Sequence, residues 1–182
     1  MTRTRYILVG LLTILSLGCP ARSIFPLFEE KDLVFNPTLI GTWVNARQET
    51  MTFERAGETR TYNVTLRDPK GDTARYRVEW GQIGKIWFLD SYPMLREEGA
   101  GHILPVHMFH KVWVRGDTLE LASLEGDWLG AMADSNKLTI PYVRREGEVI
   151  LTASTKELQT FLFGCAEHPK AFGKPGQYVR SK

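Results

Sequence analysis

Two neighbouring stretches of this chain alternate apolar and polar residues with a period of two, and one tight turn joins them. Tyr62, Val64 and Leu66 share a face opposite Thr61, Asn63, Thr65 and Arg67. After the turn Asp68-Pro69-Lys70-Gly71-Asp72, Ala74, Tyr76, Val78 and Trp80 repeat the pattern against Arg75, Arg77 and Glu79. Period two with one polar face specifies antiparallel strands that cover a core on one side. Further strand candidates are Gly41 to Asn45, Thr50 to Arg55, Lys85 to Asp90, His102 to Arg115, Thr118 to Leu124, Leu138 to Arg144 and Glu148 to Ala153. Short turns such as Ala56-Gly57-Glu58 and Arg115-Gly116-Asp117 join most of them. The expected fold is therefore mainly β: an antiparallel up-and-down barrel of about eight to nine strands, since closure removes exposed sheet edges. A two-sheet sandwich is the alternative.

Two helices interrupt that pattern. Asp127 to Ala133 carries Trp128, Leu129 and Met132, and is expected to plug one barrel end. The second is signalled by Ser154 with Glu157 three residues later, a capping box. Leu158, Phe161, Leu162 and Cys165 follow as an apolar stripe. This C-terminal amphipathic helix is expected to lie on the outside of the sheet and bury Cys165. A chain of 182 residues with 43% hydrophobic and 24% charged residues fits one folded domain with appendages. Those values exclude disordered, collagen-like and multi-span membrane classes.

The N-terminus reads as an address. Arg3 and Arg5 precede the apolar run from Tyr6 to Leu17, as in a secretory signal. A helix over that run reaches only about 18 Å, short of a bilayer core of roughly 30 Å. Ser16-Leu17-Gly18-Cys19 follows and resembles the cleavage box of bacterial lipoproteins. That resemblance implies a signal peptide over 1–18, and Cys19 as a lipidated (palmitate-bearing) mature N-terminus. Pro20 after it implies the outer membrane, facing the periplasm. A cut near Ala21 or Arg22, leaving a secreted or periplasmic soluble protein, is the alternative. Residues 19–37 are then a tether, 38–168 the barrel domain with its helix, and 169–182 a basic tail. The overall formal charge is +2, and without Arg3 and Arg5 it is zero, so no nucleic-acid partner is indicated.

Gly41-Thr42-Trp43 at the start of the first barrel strand resembles the first signature of lipocalins and the wider calycin barrels. The resemblance implies that Trp43 closes the barrel base beneath an arginine from the last strands, with Arg144 or Arg145 as the candidate. Leu151 to Ser154 and the helix after it also resemble small bacterial envelope proteins, a likeness that implies no activity.

Candidate sites are few. His102 and His110 share one strand face and His107 takes the other, so the three do not converge on a metal. Cys165 and His168 have the spacing of nucleophile and base, but a helix C-terminus disfavours a thiolate. Tyr62, Tyr76, Trp80, Met108 and His110 are expected to face the barrel interior, either as the lining of a small-molecule pocket or as its filling. Ser91 to Gly101 is expected to form a loop at the mouth. The expectation is a non-enzymatic, lipid-anchored envelope protein that binds a small, mainly apolar ligand and needs no cofactor. The alternative is an assembly module docking a protein partner on a solid barrel.

Overall fold

The structure is a computed structural model and describes residues 19–94 and 104–182. The expected signal peptide over 1–18, His102 and residues 95–101 of the expected mouth loop lie outside the described residues; the start of that loop is corrected, because Ser91 to Pro93 continue a strand paired with residues 76–78. The elements in chain order are β1 (Arg22–Ser23), β2 (Gly41–Asn45), β3 (Thr50–Arg55), β4 (Tyr62–Arg67), β5 (Thr73–Ile83), β6 (Ile86–Pro93), β7 (Met108–Arg115) and β8 (Thr118–Ser123). Then come α1 (Gly126–Asp134), β9 (Tyr142–Arg145), β10 (Glu148–Leu151), α2 (Thr155–Cys165) and β11 (Gly176–Arg180).

Among the described residues, eight strands close into an antiparallel barrel in the order β11-β2-β3-β4-β5-β6-β7-β8. The period-two hairpin is β4–β5, with Val64 opposite Tyr76 and Tyr62 opposite Val78. Its apolar face looks inward. Trp43, Met51, Phe53, Tyr62, Val64, Leu66, Val78, Trp80, Leu89, Val112, Leu119, Leu121 and Tyr178 form the barrel core. A second core lies on the outer wall, where Phe88 and Phe109 meet Leu129 of α1, Leu151 of β10, and Leu158 and Leu162 of α2.

Four further expectations are corrected. First, residues 169–182 are not a free tail: β11 is the eighth barrel strand, pairing with β8 (Tyr178 opposite Leu119) and with β2 (Arg180 opposite Trp43). Second, the two strands after α1 do not join the barrel. β10 pairs antiparallel with β9 and parallel with β1, making a separate three-stranded sheet. Third, α1 does not plug the barrel; its buried Leu129 and Ala133 belong to the outer core, and it packs on β10. Fourth, residues 19–37 are not a tether. Leu27 and Phe28 are buried, and Phe28 lies against Gly81, where an added Cβ would stand 2.5 Å from the ring.

The helix signals hold. Ser154 Oγ caps the Glu157 N–H, and the Glu157 carboxylate accepts from the Ser154 N–H at 2.8 Å, a reciprocal box that satisfies two orphan donors. Cys165 is buried on the outer wall. The far end of α2 has a partner that no sequence pattern announced. Buried Lys111, on the outward face of β7, donates through Nζ to Ala166 O at 2.6 Å. A cation there complements the negative end of the helix.

Candidate functional site

Trp43 is completely buried, and its indole N–H donates to Leu39 O at 2.8 Å. The arginine above its ring is Arg180, with the guanidinium carbon 4.2 Å from the ring centroid. Arg180 also donates to the carbonyl oxygens of Ile40, at 2.8 Å, and Thr38. Gly41 is required here twice over. Its φ of +119° is one that side chains rarely adopt, and a Cβ would stand 3.1 Å from the Arg180 guanidinium. Arg144 therefore does not have the closing role expected of it. It lies on β9, outside the barrel, and pairs with exposed Asp134 at 2.6 Å.

Tyr62, Tyr76, Trp80, Met108 and His110 all lie on the inward-facing side of their strands. Tyr62 is fully buried and its hydroxyl is taken by the Asn36 backbone, accepting from N–H at 2.6 Å and donating to C=O at 3.1 Å. His110 is held at both ring nitrogens, Nδ1 by Ser123 Oγ at 3.0 Å and Nε2 by Ser91 Oγ at 2.9 Å. Burial pulls its pKa down to about 4, so the ring is neutral. Trp80 stacks on Trp87 at 5.1 Å, and its buried Nε1 has no hydrogen-bond partner among the described residues. Tyr62 and Trp80 belong to the packed barrel core, and His110 has no ring nitrogen left to offer a ligand.

Reactive geometry lies on the other side of the same wall. Glu79 and Asp90 face each other across β5 and β6, pointing outward. Directly opposed side chains on a sheet have Cβ atoms about 5 Å apart, so two carboxylates here repel. Asp90 is almost completely buried. It accepts from Leu27 N–H at 2.8 Å, and its carboxylate holds His107 Nδ1 at 2.9 and 3.0 Å. Burial raises the Asp90 pKa, and the bond to His107 opposes that rise. His107 is anchored through its backbone, which exchanges two hydrogen bonds with Ser23 at 2.8 and 2.9 Å. Its ring packs on Tyr92 at 4.7 Å between centroids. With Nδ1 engaged by Asp90, Nε2 is the ring nitrogen left for a further partner among the described residues.

Glu79 is the unsatisfied member. Its Oε2 is buried with no hydrogen-bond partner among the described residues. Burial, and then the charge of Asp90, push its carboxyl up to about 7, against weaker pulls from His107 and Arg77. A cleft of about 230 Å³ opens over this group, walled by Ile24, Tyr92, Leu104 and Pro105 beside Arg77, Glu79, Asp90 and His107. Sequence alternation marks Glu79 and Arg77 as an exposed polar face. The N-terminal segment crosses that face and half-buries Glu79 while leaving Arg77 exposed, and the apolar residues Leu27, Phe28 and Leu33 hint at the crossing.

Among the described residues no three His, Cys, Asp or Glu side chains lie close enough to hold a metal ion. Cys165 is a poor nucleophile, since burial pushes its thiol up to about 12. None of the described helices is long and apolar enough to cross a membrane. Comparison with known proteins finds no matching family model, no matching curated protein and no matching solved structure.

Proposed function

We propose that this is a lipid-anchored bacterial envelope protein, exported and processed at Cys19, that works by binding and not by catalysis. Its site is the outer-wall cleft beside Glu79, and its ligand is small, with a largely apolar body and a cationic amine head. The observation that carries the reading is Glu79, a carboxyl at the cleft whose Oε2 has no hydrogen-bond partner among the described residues and which stands directly opposite a second carboxylate. An acceptor left without a donor costs about 1–3 kcal/mol, which a ligand N–H would recover once the Glu79 carboxyl turns toward the cleft. Two opposed carboxylates against one guanidinium, that of Arg77, favour an ammonium over a neutral donor, and its charge would draw the proton off Glu79, while Tyr92, Ile24 and Leu104 offer apolar contact.

The test is thermal shift with 2-phenylethylamine, against 2-phenylethanol and phenylacetate as uncharged and anionic controls. A ligand at 100 times its dissociation constant adds about 2.7 kcal/mol, or roughly 5–11 °C for a chain of this size. The shift should appear with the amine alone and vanish in Glu79→Gln. Equal behaviour of all three compounds would refute the site.

A second reading has its own support. Between α1 and α2 a groove of about 620 Å³ is lined by Trp128, Met132, Ile140 and Phe161. It is the place where an assembly partner would seat an apolar side chain on a solid barrel. Pull-down from envelope extracts with Trp128→Ala as control separates the two readings.

A further inference from the structure

Cys19, the residue proposed to carry the lipid, is built into the fold. Its carbonyl accepts from Gly126 N–H at 2.8 Å, at the start of α1. The approach is so close that a Cβ on residue 126 would stand 2.7 Å from that oxygen. Pro20 bridges to Glu125, Ala21 N–H donates to Leu124 O at 2.8 Å, and Arg22 and Ser23 pair with Ile150 and Leu151 as β1. The chain is thus tied to the body at every step from residue 19 to residue 23. Cys19 Sγ stands 3.9 Å from Glu148 Oε1, at the rim of a groove of about 350 Å³ between α1 and the start of β10.

A lipid on that sulfur has no protein linker with which to span a gap. The geometry points to a flush seating, in which α1 and the β9–β10 hairpin face the bilayer surface and the β7–β8 turn points away. This inference rests on the lipid-anchor reading. A flexible linker of n residues lets a body roam about 5–6 Å × √n from its anchor; here the first residue is already docked. The β7–β8 turn is one length of β8 from Leu124, about 20 Å. Charges beside the anchor are mixed, Arg22, Arg144 and Arg145 with Asp127, Asp134 and Glu148. The anchor, and not attraction to anionic headgroups, therefore sets the orientation.

The experiment uses the full acylated chain in phosphatidylcholine vesicles doped with a gadolinium-chelating lipid, with nitroxide labels at Ala131→Cys or Arg115→Cys. Both positions are exposed, Ala131 at the Cys19 groove and Arg115 at the far end of β7. The Ala131 label should relax several-fold faster than the Arg115 label, equally in neutral vesicles and in vesicles with added phosphatidylglycerol. Inserting about twelve Gly/Ser residues after Cys19, which span roughly 20 Å on average, should remove the difference while acylation and melting temperature stay unchanged. Equal relaxation in an acylated, folded parent overturns the seating and leaves the anchor standing. A chain that carries no lipid overturns both.

Discussion

Removing the Arg180 side chain should open the barrel at its seam, and removing Arg144 should not. Arg180 holds two carbonyl oxygens, those of Thr38 and Ile40, and lies 4.2 Å over the fully buried Trp43 ring. Hydrogen bonds from a charged donor contribute roughly 1.5–3 kcal/mol each in buried sites and less in partly exposed ones. A cation–π contact adds about 0.5–1 kcal/mol at exposed sites. The Asp117 pairing at 3.3 Å adds little, because Asp117 is largely exposed. With the Arg180 side chain 30% exposed, the low ends of these ranges apply, and together they give about 3.5 kcal/mol. For a chain of this size that lowers the melting temperature by roughly 7–14 °C. Arg144→Ala removes one exposed ion pair and should cost less than about 1 kcal/mol. Calorimetry of Arg180→Ala, Arg144→Ala and Trp43→Phe, with the Arg180/Trp43 double mutant, measures the coupling directly. Equal losses for the two arginine variants, or no coupling to Trp43, would refute closure by the C-terminal strand.

Further outcomes follow from the same structure. Burial and Asp90 raise Glu79 to about 7 from its ordinary 4.5, so its contribution to stability is full below about 4.5 and is lost as pH rises through 7. His110, lowered to about 4, acts in the opposite sense, full above 6.5 and lost as pH falls. Subtracting the melting curves of wild type and Glu79→Gln isolates the first: the variant should gain relative stability between pH 4.5 and 7, and a flat difference would contradict a buried carboxyl. Lys111→Met should cost about 1–3 kcal/mol in denaturant unfolding, because Ala166 O loses its donor at the end of α2; an unchanged midpoint would mean that this cap is idle. Phe28→Ala should cost about 3–5 kcal/mol by emptying the space against Gly81, whereas a true tether residue would cost almost nothing.

The barrel was readable because its inner face is continuous. Tyr62, Val64 and Leu66, then Tyr76, Val78 and Trp80, keep one register with the pleat, and period two survives into the structure. Strand membership was not readable. Val149 and Leu151 alternate as well as any barrel strand, and nothing local says that β10 will pair with residues 22 and 23 instead of with β8. β11 hid for the opposite reason. Only five residues long, with Tyr178 as its buried apolar member, it sits among Gly, Pro and Lys that read as solvated tail. The placement of Arg180 over Trp43 follows from that strand, so the expectation of Arg144 failed with it. The inward set of Tyr62, Trp80 and His110 was correctly assigned to a face. The cleft is not legible in the sequence because it forms only when the N-terminal segment folds back on β5 and β6, Leu27 onto Asp90 and Phe28 onto Gly81, contacts more than fifty residues distant in sequence.

The central claim is an envelope protein fixed to a membrane through Cys19, and intact-mass spectrometry of the protein extracted by detergent from native membranes tests it most directly. The extracted chain should begin at Cys19 and carry the added mass of several acyl chains, lost in Cys19→Ala. A chain cleaved beyond Cys19, or one beginning there without lipid, would contradict it.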